Sequence, residues 1–341
     1  MFDFLKKIFT NTKEAPPGLI LPSEEELNKL TKFDEIVAMA SPVEWKALDV
    51  KKLPEYPIRN QNGSSSCVAF TLATMCSILY YMRTGDWVDF SARWFYFWRS
   101  NKPLPGMIGT NAFEVASTIG ALPEEMLLSD NMSEENMNNP TIREWFKFVA
   151  EIFRLDTKFV LLPVGDISTA ASVVQVTGKP LMVWFRFGDG EWGKIPKIVS
   201  ISTPYNHSVT FISPKKDGEM TFGIYEGEKA IVIQDSWGKI ADTFNGKRII
   251  KESFFKARNL FVAYPFRFKF DVTEKPTFIG TVVSFQECMR SIALFPNNIS
   301  FVENWGPITK KACVDFQNKN GLPETGVLDT ATVNKLKTLF P

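Results

Sequence analysis

Residues 67–81, Cys-Val-Ala-Phe-Thr-Leu-Ala-Thr-Met-Cys-Ser-Ile-Leu-Tyr-Tyr, are almost wholly apolar, and no other stretch constrains the fold so tightly. Their spacing is helical, and a helix that is apolar on every side belongs in the middle of a domain. Ser65 or Ser66 can cap it. Further helices are expected over 91–100, 110–120 and 140–154, the last opened by Asn138-Asn139-Pro140-Thr141. The second half changes period. Residues 180–187, 208–212, 220–225, 230–234 and 260–264 are short β-type runs separated by Gly, Pro or Asp turns. A helical half followed by a strand-rich half reads as an α+β fold.

With 341 residues, of which 45% are apolar and 23% charged, the chain has the length of about two domains and the composition of a globular protein. Thirty Phe and nine Trp supply large aromatic side chains for its cores. The 39 basic and 38 acidic residues leave a formal charge of +1, so no global field favours nucleic acid, and none is expected as a partner. No run reaches the roughly eighteen apolar residues of a membrane span. Residues 1–10 lack the apolar core and cleavage site of a signal peptide. Phe2, Leu5, Ile8 and Phe9 can share a helical face opposite Lys6 and Lys7, which fits a docking segment better than contact with a membrane. Cys67, Cys76, Cys288 and Cys313 are too sparse for a disulfide framework and are expected as free thiols, as in a reducing compartment.

The chain holds one histidine, His207, so any chemistry that needs an imidazole must use it. It lies in Tyr205-Asn206-His207-Ser208-Val209-Thr210-Phe211, leading into a β-type run. Upstream is Gln61-Asn62-Gly63-Ser64-Ser65-Ser66-Cys67-Val68-Ala69-Phe70, and downstream is Gln234-Asp235-Ser236-Trp237-Gly238. At the start of a helix Cys67 meets exposed backbone N–H groups, which favour an anion. Taken singly, His207 reads equally well as a hydrogen-bonded strand-edge residue and Asp235 as a turn aspartate.

Taken together, this order of glutamine, cysteine, histidine and an acid before Ser-Trp-Gly resembles the papain family of cysteine peptidases. Gln61 precedes Cys67 by six positions, as in that family, and Val68-Ala69-Phe70 keeps two residues of its helix start. Pro42-Val43-Glu44-Trp45, Phe90-Ser91-Ala92-Arg93-Trp94-Phe95-Tyr96 and the stretch from Gly109-Thr110-Asn111 to Gly120-Ala121-Leu122-Pro123-Glu124 are similar to other family segments, so the likeness covers about residues 42–265. It implies a two-lobed domain, a helical lobe plus an antiparallel β-barrel-like lobe, with the cleft between them. Cys67 would be the nucleophile, His207 its base, Gln61 an oxyanion donor and Asp235 the group that orients the ring. Trp237 would shield that contact, with Asn206 beside it, and Gly106 and Gly109 would flank the backbone edge that receives substrate. No metal and no cofactor are implied.

Three departures stand out. Ser64 occupies the place of a disulfide cysteine in secreted members, Val68 that of a tryptophan, and Asp235 that of an asparagine. The connection from His207 to Asp235 is also long, with candidate turns at Lys215-Lys216-Asp217-Gly218 and Glu226-Gly227-Glu228. One odd extra strand would carry Asp235 to the wrong end of the sheet, so the resemblance implies an excursion that preserves the hairpin.

Residues 1–41 form an arm with a Pro16-Pro17-Gly18 break and an acidic helix expected from 23 to about 39, capped by Ser23-Glu24-Glu25-Glu26. A reduced prosegment, a targeting arm and a brace across the catalytic domain (42–270) remain open for it. After a polar connector at 271–277, residues 278–341 carry a weak repeat. Phe285-Gln286 followed by Gly306-Pro307-Ile308-Thr309 is echoed by Phe316-Gln317 followed by Gly326-Val327-Leu328-Asp329-Thr330. This resembles the small three-helix peptidoglycan-binding module found beside cell-wall hydrolases, and the other reading is a helical appendage. The expected function is a cysteine peptidase that cuts peptide bonds and is directed to the bacterial cell wall. The alternatives are a wall amidase or endopeptidase cutting stem peptides, and a catalytically silent wall-binding or virion protein. Synthesis in the cytoplasm followed by action at the wall, after lysis, injection or in a virion, suits a bacteriophage or injected-effector origin.

Overall fold

In the computed structural model the apolar run becomes α1 (Cys67–Thr84), with every residue from Cys67 to Leu79 buried. It stops where Gly85 enters the left-handed region at φ +78° and its N–H returns to the Tyr81 carbonyl. The structure describes residues 18–23, 26, 31–32, 42–155, 159–188, 190–199, 205–240, 242–265, 268, 278, 280–291, 294–296 and 304–340. The chain divides into two compact units, Met1–Lys269 and Phe270–Pro341. The amphipathic start at 1–10 and the connector at 271–277 lie outside the described residues.

In the first unit the order is β1 (Leu19–Ile20), β2 (Thr31–Lys32), α1, α2 (Ala92–Phe97), β3 (Met107–Ile108), α3 (Gly109–Thr118), α4 (Glu134–Asn138), α5 (Trp145–Ile152), β4 (Phe159–Leu162) and α6 (Ile167–Thr177). Then come β5 (Leu181–Phe187), β6 (Tyr205–Phe211), β7 (Phe222–Tyr225), β8 (Glu228–Gln234), β9 (Lys247–Lys251), α7 (Glu252–Arg258) and β10 (Asn259–Pro265). Eight strands form one sheet in the order β2-β4-β10-β5-β6-β8-β7, with β9 also paired to β8. The sheet is open rather than a closed barrel, and β2 joins β4 in parallel.

Alternation along β5 shows why the run is apolar on both faces. Leu181, Val183, Phe185 and Phe187 join a core with α6 and α7. From the other face Trp184 stacks on Phe261 at 3.7 Å and fills the space where a β-carbon on Gly109 would sit, 1.8 Å from the ring. Glycine at 109, the first residue of α3, is therefore a packing requirement of this face.

Several expectations are corrected. The helix expected from 23 to 39 does begin with a capping box, the Ser23 and Glu26 side chains bonding reciprocally, but Thr31 and Lys32 are a strand. Tertiary pairing with β4 overrides local propensity there, and the rest of that segment lies outside the described residues. The helix expected over 140–154 starts at Trp145, and Asn138-Asn139-Pro140-Thr141 instead closes α4. The strand-rich half also contains α6 and α7, which cover a face of the sheet that strand patterning alone leaves bare.

In the second unit α8 (Val282–Ser291), α9 (Pro307–Lys319) and α10 (Thr330–Leu339) enclose Phe285, Cys288, Phe316 and Leu336. The repeat has a structural counterpart. Each buried glutamine reaches the threonine of the following helix: Gln286 Nε2 donates to Thr309 Oγ1 and Gln317 Nε2 to Thr332 Oγ1, both at 2.9 Å. All four cysteines are free thiols. Among the described residues no helix is long and apolar enough to cross a membrane.

Candidate active site

Cys67 is the first residue of α1, and the helix start that presents it is left without a side-chain cap. Ser66 is the cap residue, but its hydroxyl meets Ser64 Oγ at 2.6 Å instead of the helix N–H groups, which corrects the cap expected from Ser66. The Ser65 N–H donates to Glu134 at 2.7 Å. The orphan N–H groups of the first turn thus remain available to an anion at this end of the helix.

His207 sits in the first half of β6, and its Nε2 meets Asp235 Oδ1 at 2.8 Å. The long connection between them adds one strand, β7, but β7 pairs on the far side of β8. This leaves β8 directly antiparallel to β6, with Thr210 opposite Gln234, so Asp235 emerges beside His207. With Nε2 committed to Asp235, Nδ1 is the ring nitrogen left for Cys67. Both His207 and Asp235 are buried.

Burial disfavours a charged ring, but the charge and hydrogen bond of Asp235, aided by Cys67, outweigh it and raise the His207 pKa to about 9. Burial likewise opposes ionisation of Asp235, yet His207 and Arg248 hold its carboxyl well below the usual range. The Trp237 ring lies 5.1 Å from the imidazole, centroid to centroid, and Asn206 pairs across to Arg186 on the next strand.

Gln61 is held at both ends. Its N–H donates to the Ser236 carbonyl at 2.8 Å, and Ser236 Oγ donates to Gln61 Oε1 at 2.6 Å. That leaves Nε2 facing the Cys67 turn, where it donates to the Ser64 carbonyl at 2.5 Å. The segment before Gln61 is pinned by Arg59, buried and paired with Glu124 at 2.7 Å and Asp130 at 2.8 Å.

The arm reaches the same place. β1 pairs in parallel with β3, and Met107 N–H donates to the Gly18 carbonyl at 3.0 Å. A β-carbon on Gly18 would lie 2.8 Å from Cys67 Sγ. Leu19 is fully buried, and Cys67 is 1% exposed. Gly106, at φ +83°, precedes this edge, its N–H donating to Tyr96 Oη, and Gly109 follows it.

The structure thus brings Cys67, His207, Asp235, Gln61 and Trp237 together, with Gly106 and Gly109 along the neighbouring edge. Two residues that sequence reasoning missed are Arg248 and Trp192, which reach Asp235 Oδ2 from β9 and from the loop after β5 at 2.8 and 2.7 Å. No local signal marks them, because Arg248 reads as an ordinary charge beside an apolar run. Among the described residues no cluster of three or more His, Cys, Asp or Glu side chains is arranged to hold a metal ion.

Residues 282–336 match the family described as "Putative peptidoglycan binding domain". No curated protein matches the chain. Among solved structures, xylellain, a cysteine protease from Xylella fastidiosa, is 13% identical over 74% of this chain and 96% of its own, with a TM-score of 0.58. The digestive procathepsin L2 proteinase of Tenebrio molitor larval midgut is 17% identical over 76% of this chain and 82% of its own, at 0.57. Procathepsin L 3 from the same tissue is 16% identical over 69% and 73%, at 0.53. At these identities the likeness shows the fold: the chain carries a papain-like cysteine protease fold, followed by a helical peptidoglycan-binding domain.

Proposed function

We propose that this chain is a cysteine peptidase that cuts peptide bonds through Cys67, His207 and Asp235 and is directed to the bacterial cell wall by residues 282–336. The observation that carries this reading is the buried line from Asp235 through His207 to Cys67 at an uncapped helix start. Cys67 Sγ attacks the substrate carbonyl as a thiolate, its proton held by His207. The Cys67 N–H and Gln61 Nε2 donate to the oxyanion. His207 passes its proton to the leaving amine, the C–N bond breaks, and the acyl group remains on sulfur. Water then gives a proton to His207 and its hydroxyl to the thioester carbonyl. The C–S bond breaks, the acyl group leaves as the carboxylic acid product, and the Cys67 thiolate beside protonated His207 is restored.

The arm fits a reduced prosegment best among the three readings of residues 1–41, because Gly18 lies against the Cys67 sulfur and β1 occupies the edge of β3. An extended substrate would need that edge. The module supports a second reading in which the scissile amide belongs to a wall stem peptide, since a tether raises the local concentration of that polymer. Either substrate suits release at the wall by lysis, injection or a phage virion. Zymography separates the two: clearing of denatured protein, abolished in Cys67→Ser, supports the peptidase, whereas clearing confined to purified walls supports the stem-peptide enzyme. No clearing of either substrate, with the arm removed, overturns both.

A further inference from the structure

Asp235 receives four donors, and two of them meet the oxygen turned away from His207. His207 Nε2 and the Ser236 N–H meet Oδ1 at 2.8 and 2.7 Å, while Arg248 Nε and Trp192 Nε1 meet Oδ2 at 2.8 and 2.7 Å. A carboxylate accepts at both oxygens. An asparagine that kept its oxygen toward His207 would aim its own N–H groups at two more donors. Arg248 and Trp192 therefore require an acid at 235.

Arg248 is wholly buried and built into the sheet. Its Nη1 donates to the Trp192 and Asp242 carbonyls, each at 3.1 Å, and its guanidinium carbon lies 5.4 Å from the Trp192 ring centroid and 5.6 Å from that of Trp237. A buried ion pair adds little net stability compared with apolar packing of the same volume. This one shares its carboxylate with the imidazole on the other oxygen.

We propose that Arg248, seconded by Trp192, is a positioning residue for the reaction: it fixes the Asp235 carboxylate and shares its charge, so that Asp235 orients His207 without locking it as a permanent imidazolium. The groups facing this line are Cys67 from α1, Asp235 from the end of β8 and Arg248 from β9; the loop after β5 adds the indole of Trp192, and Phe187 and Trp237 add uncharged rings. Opposite charge on one side of Asp235 weakens its hold on the charge at the other.

The proposal rests on the peptidase reading, but its test does not require turnover. His207 is the chain's one histidine, so isotope-labelled histidine gives a single ring whose NMR titration reads this site directly in the full chain. Arg248→Met is expected to raise the midpoint by about one unit or more. Arg248→Lys, which keeps the charge, should return it most of the way to wild type. Arg99→Met, which removes a buried guanidinium from the helical part, should leave it unchanged. The pH dependence of Cys67 alkylation should move with the midpoint. An Arg248→Met midpoint equal to wild type overturns the proposal.

Should Arg248→Met fail to fold, stability carries the test. Asp235→Asn should lower Tm, and Asp235→Asn/Arg248→Gln should recover part of the loss by removing the unpaired guanidinium. A double variant no more stable than Asp235→Asn overturns the proposal. Failure of the peptidase reading looks different: the titration still moves in Arg248→Met, while wild-type protein freed of its arm hydrolyses no substrate.

Discussion

Asp235 Oδ1 lies 2.8 Å from His207 Nε2 although the two residues are 28 apart in the chain and an additional strand, β7, intervenes. The contact survives because β7 is laid down outside β8, which leaves the β6–β8 pair as it would be in a simple hairpin. The carboxylate at this place makes the site's response to pH a direct test of its chemistry.

With His207 raised to about 9, the imidazolium is retained below that pH and lost as pH rises through it. Asp235→Asn removes the charge that raises it, so the alkaline limb of kcat/KM is expected at lower pH than in wild type. Asp235→Ala should cost more activity, because the ring also loses its acceptor. Full activity in Asp235→Ala together with an unmoved limb in Asp235→Asn would show that another group orients His207.

The arm predicts a change in thiol reactivity. Leu19→Glu places a carboxylate at a fully buried position and should expel residues 18–20 from the cleft, accelerating alkylation of Cys67. Burial pushes the Cys76 thiol up strongly, Cys288 to about 12 and Cys313 to about 11, so these should stay slow near neutral pH. Mass spectrometry of labelled peptides distinguishes the sites. Equal labelling of Cys67 in wild type and Leu19→Glu would show that the arm does not guard the thiol.

Gln61 should act without titrating. Gln61→Ala is expected to lower kcat by about 10²–10³, the usual cost of one oxyanion donor. Ser236→Ala removes the hydroxyl that holds Gln61 Oε1 at 2.6 Å and should cost up to about tenfold. Neither should shift the alkaline limb. Steady-state kinetics across pH would reveal the contrary.

The second unit should act alone. Residues 278–341 have their own core, and the isolated module is expected to fold and to pellet with purified cell wall. Gln317 bonds Thr325 Oγ1 at 2.8 Å, the Val327 carbonyl and Thr332 Oγ1 at 2.9 Å, and accepts from Gly326 N–H at 2.9 Å. Gln317→Leu should therefore destabilise the module by about 2 kcal/mol or more in urea unfolding. A folded module that stays in solution while the first unit pellets would remove the basis for wall targeting.

The sequence by itself determined what local spacing can encode. An all-apolar helical run has to be central, the six-residue interval from Gln61 to Cys67 is short enough to be read directly, and a single histidine leaves no choice of imidazole. The repeat at Phe285-Gln286 and Phe316-Gln317 was legible for the same reason, since each Phe-Gln pair is followed at short range by the Gly turn that starts the next helix. What only the tertiary structure decided depends on which distant segments pair. Thr31 and Lys32 left their expected helix to join β4, Gly18 came to rest against Cys67, and β7 was set on the far side of β8. Arg248 and Trp192 reach Asp235 only because β9 and the loop after β5 flank it in space. Periodicity constrains which face of an element is buried, but it carries no record of the partner that buries it.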